Sequence, residues 1–440
     1  MSDGDVTGRE TRRAPRSQLR LRTWLLPALT GILLVLQLVS PYRGWRILLV
    51  GLGGAWLLGY LWARSLARGL QLVREMRFGW AQVGDQMVER FTLLNNGWAP
   101  AVWVELEDYS TLPEYRAGRG TRVGGGRSVR WHTDALCTRR GLFVLGPASV
   151  RTGDPFGVYT VTIDYPTSLP LMVLPPVVSL PTIEVSPGGR TGEGRPRADA
   201  LEPTVSAASV REYFPGDGLR WIHWRTSARH DDLFVRLFDG TPAGDWWIVL
   251  DMDRSVQAGE GQDATEEHGV ILAASLAGRG LRSGRAVGLV GSGEPLVWLP
   301  PRGGESQRWE ILRALAQVSL GSCPLADLLV RMRSMLSQCA SLVIITPDVD
   351  DAWLQALLPL LRRGAVPTVL LLDPVSFGGT GDLASIRTLL TNLGVVHYVI
   401  TCDLLDRPEL RPARQAHWAA DGRPAPFHQP SGAAWKVLSW

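Results

Sequence analysis

A chain of 440 residues has room for roughly two or three domains with cores of their own, and a hydrophobic share of 45% is ordinary for a folded protein. The formal net charge of +4 is too mild for a dedicated nucleic-acid binder, whose basic residues gather on one face. The four cysteines, Cys137, Cys323, Cys339 and Cys402, lack zinc or redox spacing, which argues against a disulfide-stapled secreted scaffold and fits a reducing compartment.

Residues 1–23 carry Arg9, Arg12, Arg13, Arg16, Arg20 and Arg22 and read as a disordered, basic cytoplasmic tail. Apolar runs at 24–39 and 47–63 follow, split by a short polar break at 40–46. Each falls below the roughly 20 residues of a typical span, and Trp24, Tyr42, Trp45, Tyr60 and Trp62 extend them as interfacial anchors. Residues 24–63 are therefore expected to form two transmembrane helices, a hairpin. Arginine is heavier outside (Arg64, Arg68, Arg74 and Arg77 follow) than in the break (Arg43, Arg46), which puts both termini and the soluble domains on the cytoplasmic side of the inner or plasma membrane. No small-x-small cleavage site precedes the second run, so a cleaved signal peptide is disfavoured.

Residues 70–165 change to a period of two. Strands are expected at 87–94, 102–106, 129–133, 141–145, 148–152 and 158–163, with Asn95-Asn96-Gly97 as the hairpin turn joining the first two. This predicts an antiparallel β-sandwich acting as a spacer or contact domain. Residues 175–207, rich in Pro and Gly, read as a linker or mobile loop. The stretch 210–239 interleaves arginines with aromatics. Such a pattern could stack on single-stranded nucleic acid, but the alternation at 233–238 reads as a strand. A folded joint is expected, with Trp224 inside and Asp217 and Asp232 paired to arginines.

From 246 onward strands and helices alternate, which predicts an α/β domain with a mostly parallel sheet. Strands are expected at 246–250, 286–290, 342–346, 368–372 and 395–400, with an edge strand at 296–299. Helices are expected at 266–278, 306–318, 325–339, 351–362 and 383–393. The glycine-rich run 288–293 is assigned to a turn, and the tail 404–440 to irregular structure. Ligands of such sheets sit beyond the carboxyl ends of the strands. There the chain has Asp251, Asp253 and Ser255, and later Asp348, hard oxygen donors that suit Mg²⁺. Asp350, Asp351 and Asp373 read as helix caps. No nucleophile-and-base constellation is visible.

Tyr213-Phe214-Pro215-Gly216-Asp217, followed by Arg220-x-Ile222-His223-Trp224-Arg225-x-Ser227-Ala228-Arg229, resembles the signature of domain of unknown function family 58. His223 departs from the family's usual Asp. The other matching positions (Gly216, Asp217, Arg220, Trp224, Arg225, Ser227, Arg229) are expected to be structural. The resemblance extends upstream through Arg140-Gly141-Leu142-Phe143 and Asp154-Pro155-Phe156-Gly157. It implies a von Willebrand factor A-like, Rossmann-type domain over 208–403, signature included, and with it a metal-ion-dependent adhesion site of the D-x-S-x-S kind. Asp251 and Ser255 match the outer positions, Asp253 replaces the first Ser, Asp348 matches the late Asp, and Ser306 is a candidate for the middle Thr. The extra carboxylate of Asp253 would leave a bound cation less attractive to an acidic partner. The resemblance also implies partnership with a MoxR-type AAA+ ATPase. The expected protein is thus a membrane-anchored interaction scaffold without enzymatic activity, serving a chaperone-like or cell-envelope assembly role. A metal-dependent hydrolase built on Asp251, Asp253 and Asp348, and nucleic-acid binding by 210–239, are the alternatives.

Overall fold

The computed structural model describes residues 15–76, 78–180, 183–186, 207–213, 222–230, 232–238, 245–336, 340–406 and 436–438. The architecture is mixed α/β in two compact units, one of residues 1–174 with 413–440 and one of residues 175–412. The expected features at Gly216, Asp217, Arg220 and Cys339 lie outside the described residues, as do 187–206 of the expected linker.

The first unit begins with β1 (Arg16–Leu21), α1 (Leu25–Val39) and α2 (Arg43–Gly69). It continues through β2 (Leu70–Met76), β3 (Trp80–Gln82), β4 (Gln86–Asn95), β5 (Ala101–Asp108), β6 (Arg119–Val123) and β7 (Arg127–Leu136). It then runs through β8 (Gly141–Leu145), β9 (Ala148–Gly153), β10 (Tyr159–Tyr165) and β11 (Leu169–Leu174). Among the described residues the strands form three sheets, ordered β1-β10-β9-β5-β6, β3-β11-β8 and, closed by the distant strand Lys436–Leu438, that strand-β2-β4-β7. Alternating side chains from these sheets meet in one buried cluster, where Phe91 stacks on Trp131 with ring centroids 5.5 Å apart. A charged knot lies inside it. The Arg74 guanidinium donates to both Glu89 oxygens (2.9 and 2.8 Å) and to Asp108 Oδ1 (2.8 Å), while the Tyr115 hydroxyl donates to Glu89. Burial in company with Glu89 pushes the Tyr115 phenol far above its usual range.

After Arg43 and Arg46 in its first turn α2 is apolar as far as Ala63, and it buries a stripe at Gly59, Ala63, Leu66 and Gly69, spaced by three and four residues. Its earlier turns and most of α1 expose large apolar side chains such as Ile32, Val35, Leu38, Ile47 and Val50. α2 is long and apolar enough to cross a membrane, with 27 residues spanning about 40 Å against a hydrocarbon core of about 30 Å. At 15 residues α1 is shorter, about 22 Å. The strands flanking the two helices, β1 and β2, both return to the same unit.

Several sequence expectations change here. Asn95-Asn96-Gly97 is not a hairpin turn, because β4 pairs with β2 and β7 while β5 pairs with β6 and β9, so the segment crosses between sheets. Asn95 instead folds an Asx turn, accepting from Gly97 N–H (3.0 Å) and donating to the Ala99 carbonyl (2.8 Å). A Cβ at Gly97 would press on Ser65 of α2, so glycine is needed for close approach. Residues 16–21 of the basic tail form an edge strand on β10, running from Arg16 opposite Asp164 to Leu21 opposite Tyr159. The C-terminal tail is not wholly irregular, since Lys436–Leu438 pairs antiparallel with β2.

The second unit opens on residues 175–186, where the described positions are pinned along the body of the unit rather than forming a free linker. Val178 N–H donates to Ser275 Oγ (2.9 Å) and Ser186 N–H to Thr368 Oγ1 (3.0 Å). Then come β12 (Ala207–Glu212), α3 (Trp224–His230) and β13 (Phe234–Phe238), with β12 and β13 paired antiparallel. The remaining order is β14 (Trp246–Leu250), α4 (Thr265–Arg282), β15 (Val287–Gly291), β16 (Val297–Arg302), α5 (Glu305–Gln317) and α6 (Leu325–Met332). It closes with β17 (Ser341–Thr346), α7 (Ala352–Arg362), β18 (Val366–Leu372), α8 (Ala384–Asn392) and β19 (Val396–Ile400). The glycine-rich run expected as a turn is largely strand β15, and α6 ends at Met332 rather than near 339.

These strands make a sheet ordered β16-β15-β14-β17-β18-β19, parallel except for the edge strand β16. Every residue of β14, β15 and β17 is buried, because the sheet is covered on both faces. Trp247 and Val249 face α6, α7 and α8 in one apolar cluster. On the other face Gly269 of α4 lies against Leu250, Ile345 and Leu372. β14 enters mid-sheet, with β15 on one side and β17 on the other, so the winding reverses at β14/β17. Ligands of open α/β sheets bind beyond the carboxyl ends of the strands at such a reversal.

Candidate functional site at the sheet reversal

Asp251 directly follows β14 and Thr346 ends the adjacent β17, so the reversal point sets them side by side. The Thr346 hydroxyl donates to Asp251 Oδ2 (2.7 Å) and accepts from Asp348 N–H (2.9 Å). Asp251 Oδ1 accepts from Asp253 N–H (3.1 Å) and from the Ser292 hydroxyl (3.4 Å), and Ser292 Oγ also accepts from Met252 N–H (2.7 Å). Asp253 Oδ1 accepts from Ser255 N–H (3.1 Å). Gln257 donates to the Asp251 carbonyl (3.0 Å) and accepts from the hydroxyl of Thr265 (2.7 Å), which ties the loop to the start of α4. Neighbouring backbone must come close: Arg254 N–H donates to the Gly321 carbonyl (3.0 Å) and Gly321 N–H to the Met252 carbonyl (2.9 Å). A Cβ at Gly321 would strike the Ser292 carbonyl oxygen, and one at Gly293 that of Ser319.

The cluster is graded from floor to mouth. Asp251 (2% exposed) and Asp253 (8%) are buried, Asp348 is half-buried and Ser255 is exposed. Burial raises the Asp251 carboxyl to about 6, with the charges of Asp348 and Asp253 adding to it; the Thr346 hydroxyl and Asp253 N–H oppose the shift. Burial likewise raises Asp348, helped by Asp350 and Asp253 and opposed by the N–H of Asp350. No salt bridge to a basic side chain offsets Asp251, Asp253 or Asp348 among the described residues. The Cys323 thiol, itself raised by burial, feels both Asp251 and Asp253.

The four expected ligands, Asp251, Asp253, Ser255 and Asp348, thus belong to one loop cluster. Ser306 does not join it: α5 follows the antiparallel β16, whose end at Arg302 lies opposite Val287, the starting end of β15. Thr346 and Ser292, which the sequence reading missed as site residues, support Asp251. Their signal was weak, a hydroxyl at the carboxyl end of each strand flanking β14. No three His, Cys, Asp or Glu side chains among the described residues form a metal-holding group. An ion here would rest on hydroxyl and water oxygens as well as carboxylates, which is chemistry Mg²⁺ accepts. Of the expected caps, Asp373 accepts from Val375 N–H (3.2 Å) at the start of a short 3₁₀ turn, whereas Asp351 caps α7 without a side-chain bond.

The signature residues form a separate, internally bonded element. His223 precedes α3, and its Nδ1 accepts from Thr226 N–H (3.2 Å), so the imidazole does the helix-capping work of an Asp. Ser227 Oγ donates to the His223 carbonyl (3.2 Å) and accepts from Phe234 N–H (2.9 Å), stitching α3 to β13. Trp224, expected inside, is 66% exposed because it starts the helix on its outer side, and Arg225, Arg229 and Asp232 are also exposed.

Residues 209–377 match the model of the protein of unknown function family DUF58, which covers α3, β13 and the Asp251 cluster. The chain carries a DUF58 segment. It is 32% identical over 121 residues to the uncharacterized protein YeaD of Bacillus subtilis, covering 28% of each chain. It is 27% identical over 191 residues to the uncharacterized protein Rv1480 of Mycobacterium tuberculosis, covering 41% of this chain and 60% of that one. The chain therefore spans between 28% and 60% of the length of these relatives. Among solved structures, the CARDB domain of the PF1109 protein from Pyrococcus furiosus aligns with 24% of this chain and 94% of its own, at 8% identity and a TM-score of 0.17.

Proposed function

We propose that this chain is a membrane-anchored interaction scaffold whose second unit is a von Willebrand factor A-like domain. In this reading its partner docks over the loops carrying Asp251, Asp253, Ser255 and Asp348. The observation that carries the reading is the convergence of three acidic side chains and two supporting hydroxyls at the sheet reversal, with no salt bridge to offset them among the described residues. Uncompensated charge at the strand ends favours a cation or a basic partner group over a purely structural role. A Mg²⁺ ion taking some of its oxygens from among Asp251, Asp253, Ser255 and Asp348 and the rest from water would neutralise that charge and present an open position. The carboxylate of Asp253 would temper its pull on an acidic partner.

α1 and α2 are proposed as a hairpin of two spans carrying a β-sandwich. Support comes from β1 and β2 both returning to one unit, which requires the outer helix ends to share one side of the bilayer. The arginines flanking those ends favour the cytoplasmic side. The partner proposed is a MoxR-type AAA+ ATPase, on the strength of the family resemblance, in a chaperone-like or envelope-assembly role. We propose a docking role; a metal-dependent hydrolase built on Asp251, Asp253 and Asp348 is the alternative. The test is purification of the full chain in mild detergent, with Mg²⁺ and with chelator. Mg²⁺-dependent recovery of an AAA+ ATPase supports the reading, and recovery of none under either condition counts against it.

A further inference from the structure

We propose that the groove between α1 and α2 is a binding site for one anionic phospholipid of the leaflet next to the soluble unit. The inference rests on the membrane reading above and adds a specific ligand to it. The groove has a volume of 730 Å³, within the roughly 300–1,000 Å³ typical of small-molecule sites. It opens because glycine stands where neighbouring helices usually carry bulk. A Cβ at Gly31 of α1 or Gly53 of α2 would meet nothing within 4 Å, so neither glycine serves close helix contact. Each leaves a space that no described residue fills.

The groove's length and ends point to the occupant. It runs along α2 from Leu49 to Tyr60, about 16 Å of helix. That is close to the ~15 Å of one leaflet's hydrocarbon, half of a bilayer core. Its walls are almost wholly apolar until the end nearest the sheets. There Trp56 Nε1 donates to the Tyr159 hydroxyl (2.7 Å) and the Tyr60 ring meets Tyr159 edge-on, at 5.8 Å between centroids. One turn beyond, Arg64 donates to the Tyr60 hydroxyl (2.8 Å) and is exposed, with no acidic partner among the described residues. An acyl chain in the groove would bring a phosphate to the level of this arginine. A guanidinium beside interfacial tyrosines is the chemistry that holds an anionic headgroup. A helix from a second copy could fill the apolar part, but neither α1 nor α2 carries an acidic side chain to meet Arg64.

The test uses full-length chain purified from membranes and reconstituted in nanodiscs of phosphatidylglycerol and phosphatidylcholine. Retained lipid is measured by native mass spectrometry after delipidating washes. Wild type is expected to keep about one phosphatidylglycerol per chain. The double variant Gly31→Leu/Gly53→Leu fills the groove and should lose at least fivefold of it without a lower thermal midpoint, since leucine favours helix over glycine. The more conservative Gly31→Ala/Gly53→Ala should give an intermediate loss. Arg64→Gln should erase the preference for phosphatidylglycerol over phosphatidylcholine. Equal retention by the leucine variant, absence of stoichiometric lipid from a membrane-integrated wild type, or a crosslink placing a second copy's α1 in the groove would overturn the proposal. Recovery of the chain in the soluble fraction would instead overturn the membrane reading, and this site with it.

Discussion

Replacing Asp251 by Asn should make the protein more stable in alkali and less stable in acid. The Asp251 carboxyl titrates at about 6 in the fold against 3.8 when unperturbed. The native state therefore holds a proton through the window from about 4 to about 6, where the unfolded chain has released it. Stability is lost as pH rises through that window, and the whole penalty is present above it. The interval corresponds to about 3 kcal/mol. Asn carries no charge and escapes this penalty. It keeps the oxygen that accepts from Asp253 and Ser292 but costs the Thr346 hydroxyl its acceptor, about 1 kcal/mol. The variant should then be about 1 kcal/mol less stable near pH 4 and about 2 kcal/mol more stable near pH 8, without divalent ions. For a unit of this size the swing is on the order of 6–12 °C in thermal midpoint. Calorimetry of the full chain in detergent across that range reads it directly. A difference between variant and wild type that does not change with pH would refute the claim that buried, uncompensated charge defines the site.

Two further substitutions probe the supporting structure. His223→Ala should remove the cap on α3 and cost about 1 kcal/mol, seen as severalfold faster amide exchange at Thr226, whereas His223→Asp should preserve protection. Equal exchange in all three proteins would mean that the imidazole does not cap. Arg74→Met leaves Glu89 and Asp108 buried without their cation and should cost roughly 3–5 kcal/mol. Adding Glu89→Gln and Asp108→Asn should recover much of that loss, and failure to do so would assign the cost to packing instead.

The second unit's strands were legible because a strand buried on both faces needs an unbroken apolar run, as in Trp246–Leu250 and Ser341–Thr346. Their order across the sheet was not, because nothing local says that β17 rather than β16 lies beside β14. The four site residues could be named from their positions after strands, while Ser306 was drawn in by its glycine-rich approach and lost by topology. Asn-Asn-Gly misled because a local turn signal is the same whether the chain returns within a sheet or crosses to another. β1 was hidden for a different reason. An edge strand covered on one side only, with four of six residues exposed, has the composition of a polar tail. His223 could be seen to depart from the family pattern, but only the bond from Thr226 N–H reveals what replaces the carboxylate.

The most direct test of the scaffold account compares wild type with an Asp251→Asn/Asp348→Asn variant, each extracted in mild detergent with Mg²⁺ and probed for a co-purifying AAA+ ATPase. The account predicts recovery with wild type and loss with the variant, while both remain in the membrane fraction. Recovery that is undiminished in the variant, or absent from wild type, would contradict it.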